Sequence, residues 1–333
     1  MPELNDALVQ IRTPTYKRPE ALKRALESMI AQTWQNWVCD VYDDDAEQAG
    51  RAVCEALGDP RIHYHHNDPQ RFASRNIDSC FGADNPHGAD YFCVVEDDNF
   101  ILPHFCAENI DLCRSQQVEI VLRNQFVEYA SGSDRAHLGT RGVLDDLFVE
   151  GLYGASDFRM SLLVGIGVSN GGLFWSRNVR SKLEIQYPCT ATLQEYLRTY
   201  AISEPVYVAM TPLAVWAENA EQTTRNAELK ASYLQRELDL KRSVQALQHR
   251  VWQAASASQR AGFLTDPRFA AASQARARSM AKALIPHRIT GHVPSKDAWR
   301  LRSRGLAIRL FGRVTPDFDR FVAARHGVPP AAP

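Results

Sequence analysis

Two short apolar runs in the first hundred residues end in blocks of carboxylates. Val41-Tyr42 leads into Asp43-Asp44-Asp45, and Tyr91-Phe92-Cys93-Val94-Val95 leads into Glu96-Asp97-Asp98-Asn99. Continuous hydrophobic runs mark strands buried on both faces, and open α/β sheets collect ligands beyond the carboxyl ends of their strands. Both acidic blocks are therefore expected on the rim of one crevice. Clustered carboxylates repel one another unless a cation joins them, and hard oxygen donors suit Mg²⁺ or Mn²⁺. Those ions commonly bind through one or two carboxylates together with substrate phosphates. The implied chemistry is metal-dependent work on a diphosphate.

The elements that must position these acids alternate in type. Residues 7–11 read as a strand, and Pro19 opens a helix to Ile30 with Leu22, Ala25, Leu26, Met29 and Ile30 at spacings of three and four. Trp37–Tyr42, Arg61–His65 and Tyr91–Val95 read as further strands, with helices over Glu47–Leu57 and around Arg71–Cys80 between them. This β-α-β-α-β order predicts an α/β fold with a mostly parallel sheet flanked by helices. Glu119–Leu122 and Val206–Met210 are later strand candidates, and the glycine-rich 164–173 stretch marks a turn or a close backbone approach. Beyond about Asn219 the texture is helical: Tyr233, Glu237, Leu240, Val244, Leu247 and Val251 form a seam fit to pack on the body or on a second copy.

Composition narrows the class. A chain of 333 residues with 45% apolar content has room for a full core and an appendage. It contains no apolar run of about 18 residues or more, and its first twenty residues lack a signal-peptide core, so a cytoplasmic protein, with peripheral membrane contact as an option, is the expectation. Seven scattered cysteines without a C-x-x-C pair argue against a disulfide framework or a structural zinc site. Alternation on a strand puts His63 and His65 on one face and His66 on the other, and no third ligand of suitable spacing accompanies them. Residues 1–218 hold 18 Lys and Arg against 31 Asp and Glu, whereas 219–333 hold 20 against 8. Arg300, Arg302, Arg304, Arg309 and Arg313, interleaved with Leu301, Leu306, Ile308, Leu310 and Phe311, fit either a bilayer-surface helix or a docked helix with snorkelling arginines.

A dinucleotide-binding domain needs glycines after its first strand, and here none occurs before Gly50. The same absence counts against a nucleotidyltransferase. The order found instead is Thr13-Pro14-Thr15-Tyr16-Lys17-Arg18-Pro19, the aspartate triplet, Asn67, Ala73-Ser74-Arg75-Asn76, and Glu96-Asp97-Asp98-Asn99 before Leu102-Pro103. It closely resembles the nucleotide-sugar half of family-2 glycosyltransferases with the GT-A fold, strongly over about residues 7–105 and weakly over 106–218. The resemblance implies a GT-A-like domain over 1–218, with 1–105 for the nucleotide sugar and 106–218 for the acceptor side, followed by a basic helical region over 219–333.

The resemblance also implies an inverting transferase that moves a sugar from a uridine or deoxythymidine diphosphate donor to a hydroxyl acceptor, whether saccharide, lipid-linked or small molecule. It assigns Pro14, Thr15, Tyr16, Arg18, Asp43, Asp44, Arg75 and Asp97 to the nucleotide, Asp98 and Glu96 to Mn²⁺ or Mg²⁺, and Gly171 and Gly172 to donor or acceptor sugar. The family's acidic pair, one member of which deprotonates the acceptor, falls here on Ala191 and Thr192. Glu195 is the substitute base and Asp157 a second candidate. That departure leaves an alternative of another class, a catalytically weak nucleotide-binding scaffold acting through its basic tail. A homodimer or a membrane contact through the C-terminal helices is a further expectation, and no nucleic-acid partner is expected.

Overall fold

A computed structural model describes residues 6–165, 167–219, 230–289 and 291–324. The first half follows the expected alternation: β1 (Val9–Thr15), α1 (Pro19–Ile30), β2 (Trp37–Asp43), α2 (Ala49–Leu57), β3 (Ile62–His66), α3 (Ala73–Ser79) and β4 (Tyr91–Val94). Next come β5 (Phe100–Ile101), α4 (Phe105–Ser115), β6 (Ile120–Ser131), β7 (His137–Gly142), β8 (Gly151–Tyr153), α5 (Ala155–Met160), β9 (Leu173–Ser176), α6 (Ala191–Ala201) and β10 (Val206–Asn219). The described part of the C-terminal region is helical: α7 (Lys230–Ala254), α8 (Ala257–Gly262), α9 (Ser273–Lys282), α10 (Ser295–Phe311) and α11 (Pro316–Ala324).

The strands form one sheet in the order β3-β2-β1-β4-β9-β6-β10-β5, with β7 added to β6 and β8 to β10. β1 pairs in parallel with β2 and β4, and β2 with β3, as short helical crossovers require. The second half is mixed, because β9 runs antiparallel between β4 and β6 while β6 and β10 are parallel. β10 continues well past Met210, where Pro212 reads as a breaker. Its register against β6 shifts between Ala209 and Ala214, so the ladder bulges around a residue that has no N–H to give.

Each face of the sheet has its own core. Leu22, Ala25, Leu26 and Met29 of α1 pack with Phe105, Cys106 and Ile110 of α4 against Val9, Ile11 and Val41. Each such side chain contributes about 1.5–3 kcal/mol when fully buried. On the other face, Leu193 and Leu197 of α6 join Leu247 and Val251 of α7, Met280 of α9 and Phe318 of α11 in one continuous cluster with Ile120, Leu122 and Val208. The basic helices thus complete the core beneath the second half of the sheet. The seam on α7 points its later residues, Leu247 and Val251, into that core, while Tyr233 near its start is 45% exposed.

Candidate active site

The parallel register of β1 and β4 sets Arg12 beside Val94, so the residues just beyond both strand ends face each other. There Thr15 Oγ1 donates to Asp97 Oδ2 at 2.9 Å, the Tyr16 N–H donates to the same oxygen at 3.3 Å, and Arg18 Nη1 donates to Asp97 Oδ1 at 3.1 Å and also to Asp98. Behind the acids, β5 pairs with β10 and the Ala217 N–H donates to Asn99 Oδ1 at 3.0 Å. The loop is clamped from both sides. It does not cap α4, whose N-terminus makes no side-chain cap bond.

Pro14, Thr15, Tyr16, Arg18, Asp44, Ala73, Asn76, Glu96, Asp97 and Asp98 surround one crevice of about 100 Å³. A roomier cavity of about 360 Å³ around Phe81 and Trp175 contains neither acidic strand end, so size does not locate the chemistry. Burial and the Asp98 charge raise the pKa values of Glu96 and Asp97 well above the usual carboxylate range, and Arg18 opposes the rise at Asp97.

One asparagine connects this loop to α6. Asn170 Nδ2 donates to Glu96 Oε1 at 3.0 Å, and the Asn170 N–H donates to Glu195 Oε1 at 3.2 Å. Asn170 is held in turn by Arg198, whose Nη1 donates to Asn170 Oδ1 at 2.7 Å, Nη2 to Asp78 Oδ1 at 2.9 Å, and Nε to the Leu183 carbonyl at 2.9 Å. The Arg198 guanidinium lies 3.6 Å from the Phe81 ring centroid. Glu195 stands in the second turn of α6, a helix started by the Thr190 hydroxyl accepting from the Leu193 N–H at 3.3 Å. Burial raises the Glu195 pKa to about 7, against the lowering effect of the Asn170 N–H. Asn170, Arg198 and Asp78 drew no functional reading from the sequence, because ordinary polar residues carry no spacing signal of their own.

The other sequence candidates fall in different places. Asp43 turns away from the crevice and accepts from the Asp45 N–H (2.9 Å), the Gly50 N–H (3.1 Å) and the Tyr64 hydroxyl (3.0 Å). Of the pair Asp43 and Asp44, only Asp44 lines the crevice, oriented by Asn67 Nδ2 (2.8 Å) and the Arg71 N–H (3.1 Å). Arg75 lines a neighbouring depression with His66, Asn67 and Arg71. Asp157 is engaged elsewhere, accepting from Arg268 and from Gln259 Nε2 at 2.5 Å, which makes it a strut to the C-terminal region. Gly171 and Gly172 serve close packing: a Cβ on Gly172 would lie 2.4 Å from the Arg123 carbonyl oxygen, and one on Gly171 would lie 2.8 Å from Gln125 Nε2. His65 and His87 both bond Asp40, at 2.7 and 3.0 Å, and stabilise its charged form.

Among the described residues no three His, Cys, Asp or Glu side chains converge as a ready-made metal cage. The donors that are present nonetheless fit a divalent ion shared with a ligand. Glu96 and Asp98 are hard oxygen donors on one buried loop where negative charge is in excess, and phosphate oxygens commonly complete such a sphere.

The sequence pattern of Glycosyl transferase family 2 matches residues 11–147, the stretch that contains both acidic blocks. Over those residues the chain is similar to family 2 glycosyltransferases. A protein of Escherichia coli K12 named as a colanic acid biosynthesis glycosyl transferase, WcaA, is 40% identical over 67 residues. That match covers 19% of this chain and 24% of the relative, so the chain spans about a quarter of it. The crystal structure of S. aureus TarS 1-349 in complex with UDP-GlcNAc superposes with a TM-score of 0.57 at 11% identity, covering 95% of this chain and 90% of that one. The crystal structure of S. aureus TarS gives a TM-score of 0.53 at 12% identity, over 95% and 55%. At these identities the likeness establishes the fold. The stretch that matches the family model thus lies in the GT-A-like fold its motifs resemble, and it contains the clamped acidic loop.

Proposed function

We propose that the chain is a metal-dependent, inverting glycosyltransferase using a uridine or deoxythymidine diphosphate sugar and a hydroxyl acceptor. The observation that carries this reading is Asn170, which ties Glu96 of the acidic loop and Glu195 of α6 into one site. Thr15, Tyr16, Asn76 and Asp44 form the nucleotide side, where the Asp44 carboxylate is placed to accept from the imide N–H of a pyrimidine. The UDP-GlcNAc in the TarS crystal agrees with a uridine donor. Arg18 supplies fixed donors suited to phosphate oxygens. Asp98 and Glu96 are the side chains that would hold Mn²⁺ or Mg²⁺, which when bound offsets the charge of the departing diphosphate.

Glu195 takes the acceptor proton. With its pKa near 7 it is ionised often enough to act and basic enough to pull. It supplies the carboxylate that is absent at Ala191 and Thr192, and this favours the enzyme over a scaffold.

The test is turnover of a panel of nucleotide sugars with Mn²⁺, for the wild type and Glu195→Gln. Donor hydrolysis or transfer by the wild type, with the variant binding donor but slowed, is the expected result. Nucleotide binding without any turnover by the wild type would establish the scaffold instead.

A further inference from the structure

Helix α10 is docked by one face and bare on the other. A Cβ on Gly305 would lie 2.0 Å from the Lys282 carbonyl oxygen, and Gln245 Nε2 donates to the Lys282 and Gly305 carbonyls at 3.1 and 3.0 Å. With Ile308 buried beside them, these contacts fix the rotation of the helix. At about 100° per residue, the outward face carries Trp299, Leu306 and Leu310, which are 74%, 48% and 68% exposed. Arg302 and Arg309 border this stripe on one side, Arg300 and Arg304 on the other.

The charge beside the stripe is uncompensated. Among the described residues none of these four arginines forms an ion pair. Arg309 also lines a cavity of about 360 Å³ with Arg242, His249 and Arg250, of which Arg250 is paired with Asp319 at 3.0 Å. Burial and then Arg309 depress the pKa of Arg242, and burial followed by Arg304 does the same to Lys282. The surface is crowded with like charge, and a cavity lined by Arg242, Arg250 and Arg309 opens on it.

We propose that α10 and the adjoining Arg242–Arg309 cavity form a docking surface for an anionic lipid bilayer, independently of the transferase reading. The Trp and Leu stripe enters the headgroup boundary and the arginines take lipid phosphates, the arrangement of an interfacial amphipathic helix. No described helix is long and apolar enough to cross a membrane, so the contact is peripheral. Charge complementarity selects this occupant over a second copy, because a two-fold contact through the stripe would bring its bordering arginines against their own equivalents.

Flotation with phosphatidylcholine vesicles, with and without phosphatidylglycerol, tests the proposal on the full chain. Wild type is expected on the phosphatidylglycerol vesicles only, with binding lost at high salt. Arg302→Gln/Arg309→Gln should weaken that binding about 30-fold, and Trp299→Ala/Leu306→Ser/Leu310→Ser at least about 10-fold, with circular dichroism and the thermal midpoint unchanged in both. Wild type that ignores phosphatidylglycerol vesicles overturns the proposal, as does full binding by the triple variant. A wild-type dimer in sedimentation that the triple variant dissociates would give the stripe to a second copy.

Discussion

The two acidic blocks look alike in sequence and are held in opposite ways. Asp43 and Asp45 take backbone N–H groups: Asp43 accepts from Asp45 and Gly50, and Asp45 accepts from Glu47 at 3.2 Å and Ala49 at 3.4 Å at the entry to α2. Their charge is consumed in shaping a turn and starting a helix. Glu96 and Asp97 are held largely by side chains, from Asn170, Thr15 and Arg18, and stay burdened with burial and with the charge of Asp98. Carboxylates at a strand end become structural where the local backbone satisfies them, and remain available to a ligand where it does not.

That contrast is broken most sharply by Asp98→Asn, which should lower turnover by roughly 10³-fold while the thermal midpoint stays put. Unchanged steady-state rates would erase the distinction between the blocks. Glu195→Gln comes next, with an expected loss of about 10²-fold or more and disappearance of the rate limb near pH 7. The same variant has a stability signature of known sign. An acid whose folded pKa stands above its ordinary value of 4.5 binds more protons when folded, so its contribution falls as pH rises from there to about 7. Glu195→Gln should therefore be more stable than wild type at pH 8, by up to about 3 kcal/mol, in chemical denaturation.

The first block should answer in the other currency. Asp43→Ala strips acceptors from two buried N–H groups and the Tyr64 hydroxyl, and should cost about 1–3 kcal/mol in denaturant titrations with kcat nearly intact. Asp45→Ala loses only bonds at the start of α2 and should cost about 1 kcal/mol. A kcat collapse in either would move that residue into the site alongside Asp44.

The first half of the sheet is legible because its geometry is local. Buried runs give the strands, Pro19 and the apolar spacing give α1, and each acidic block follows its strand directly. The second half of the sheet and the site's link to α6 depend on residues far apart in the chain. Asn170 meets Glu96 across 74 positions and Arg198 meets Asp78 across 120, and periodicity is blind to such pairs. Pro212 hid the rest of β10 because a bulge, visible only in the paired strands, accommodates it. Asp157 is eligible by residue type alone, and only the structure shows that Arg268 holds it. The arginines of α10 are the reverse case: their pattern was plain, but only the packing of Gly305 and Ile308 shows which face is left outward.

The central claim is that the Glu96-Asp97-Asp98 loop awaits a divalent ion and a nucleotide diphosphate together. Calorimetric titration of UDP with and without Mn²⁺, on wild type and Asp98→Asn, measures this directly. The account predicts that Mn²⁺ tightens UDP binding by about 10-fold or more in the wild type and leaves the variant unchanged. Equal UDP affinity with and without the metal in the wild type, or an undiminished metal effect in the variant, would contradict it.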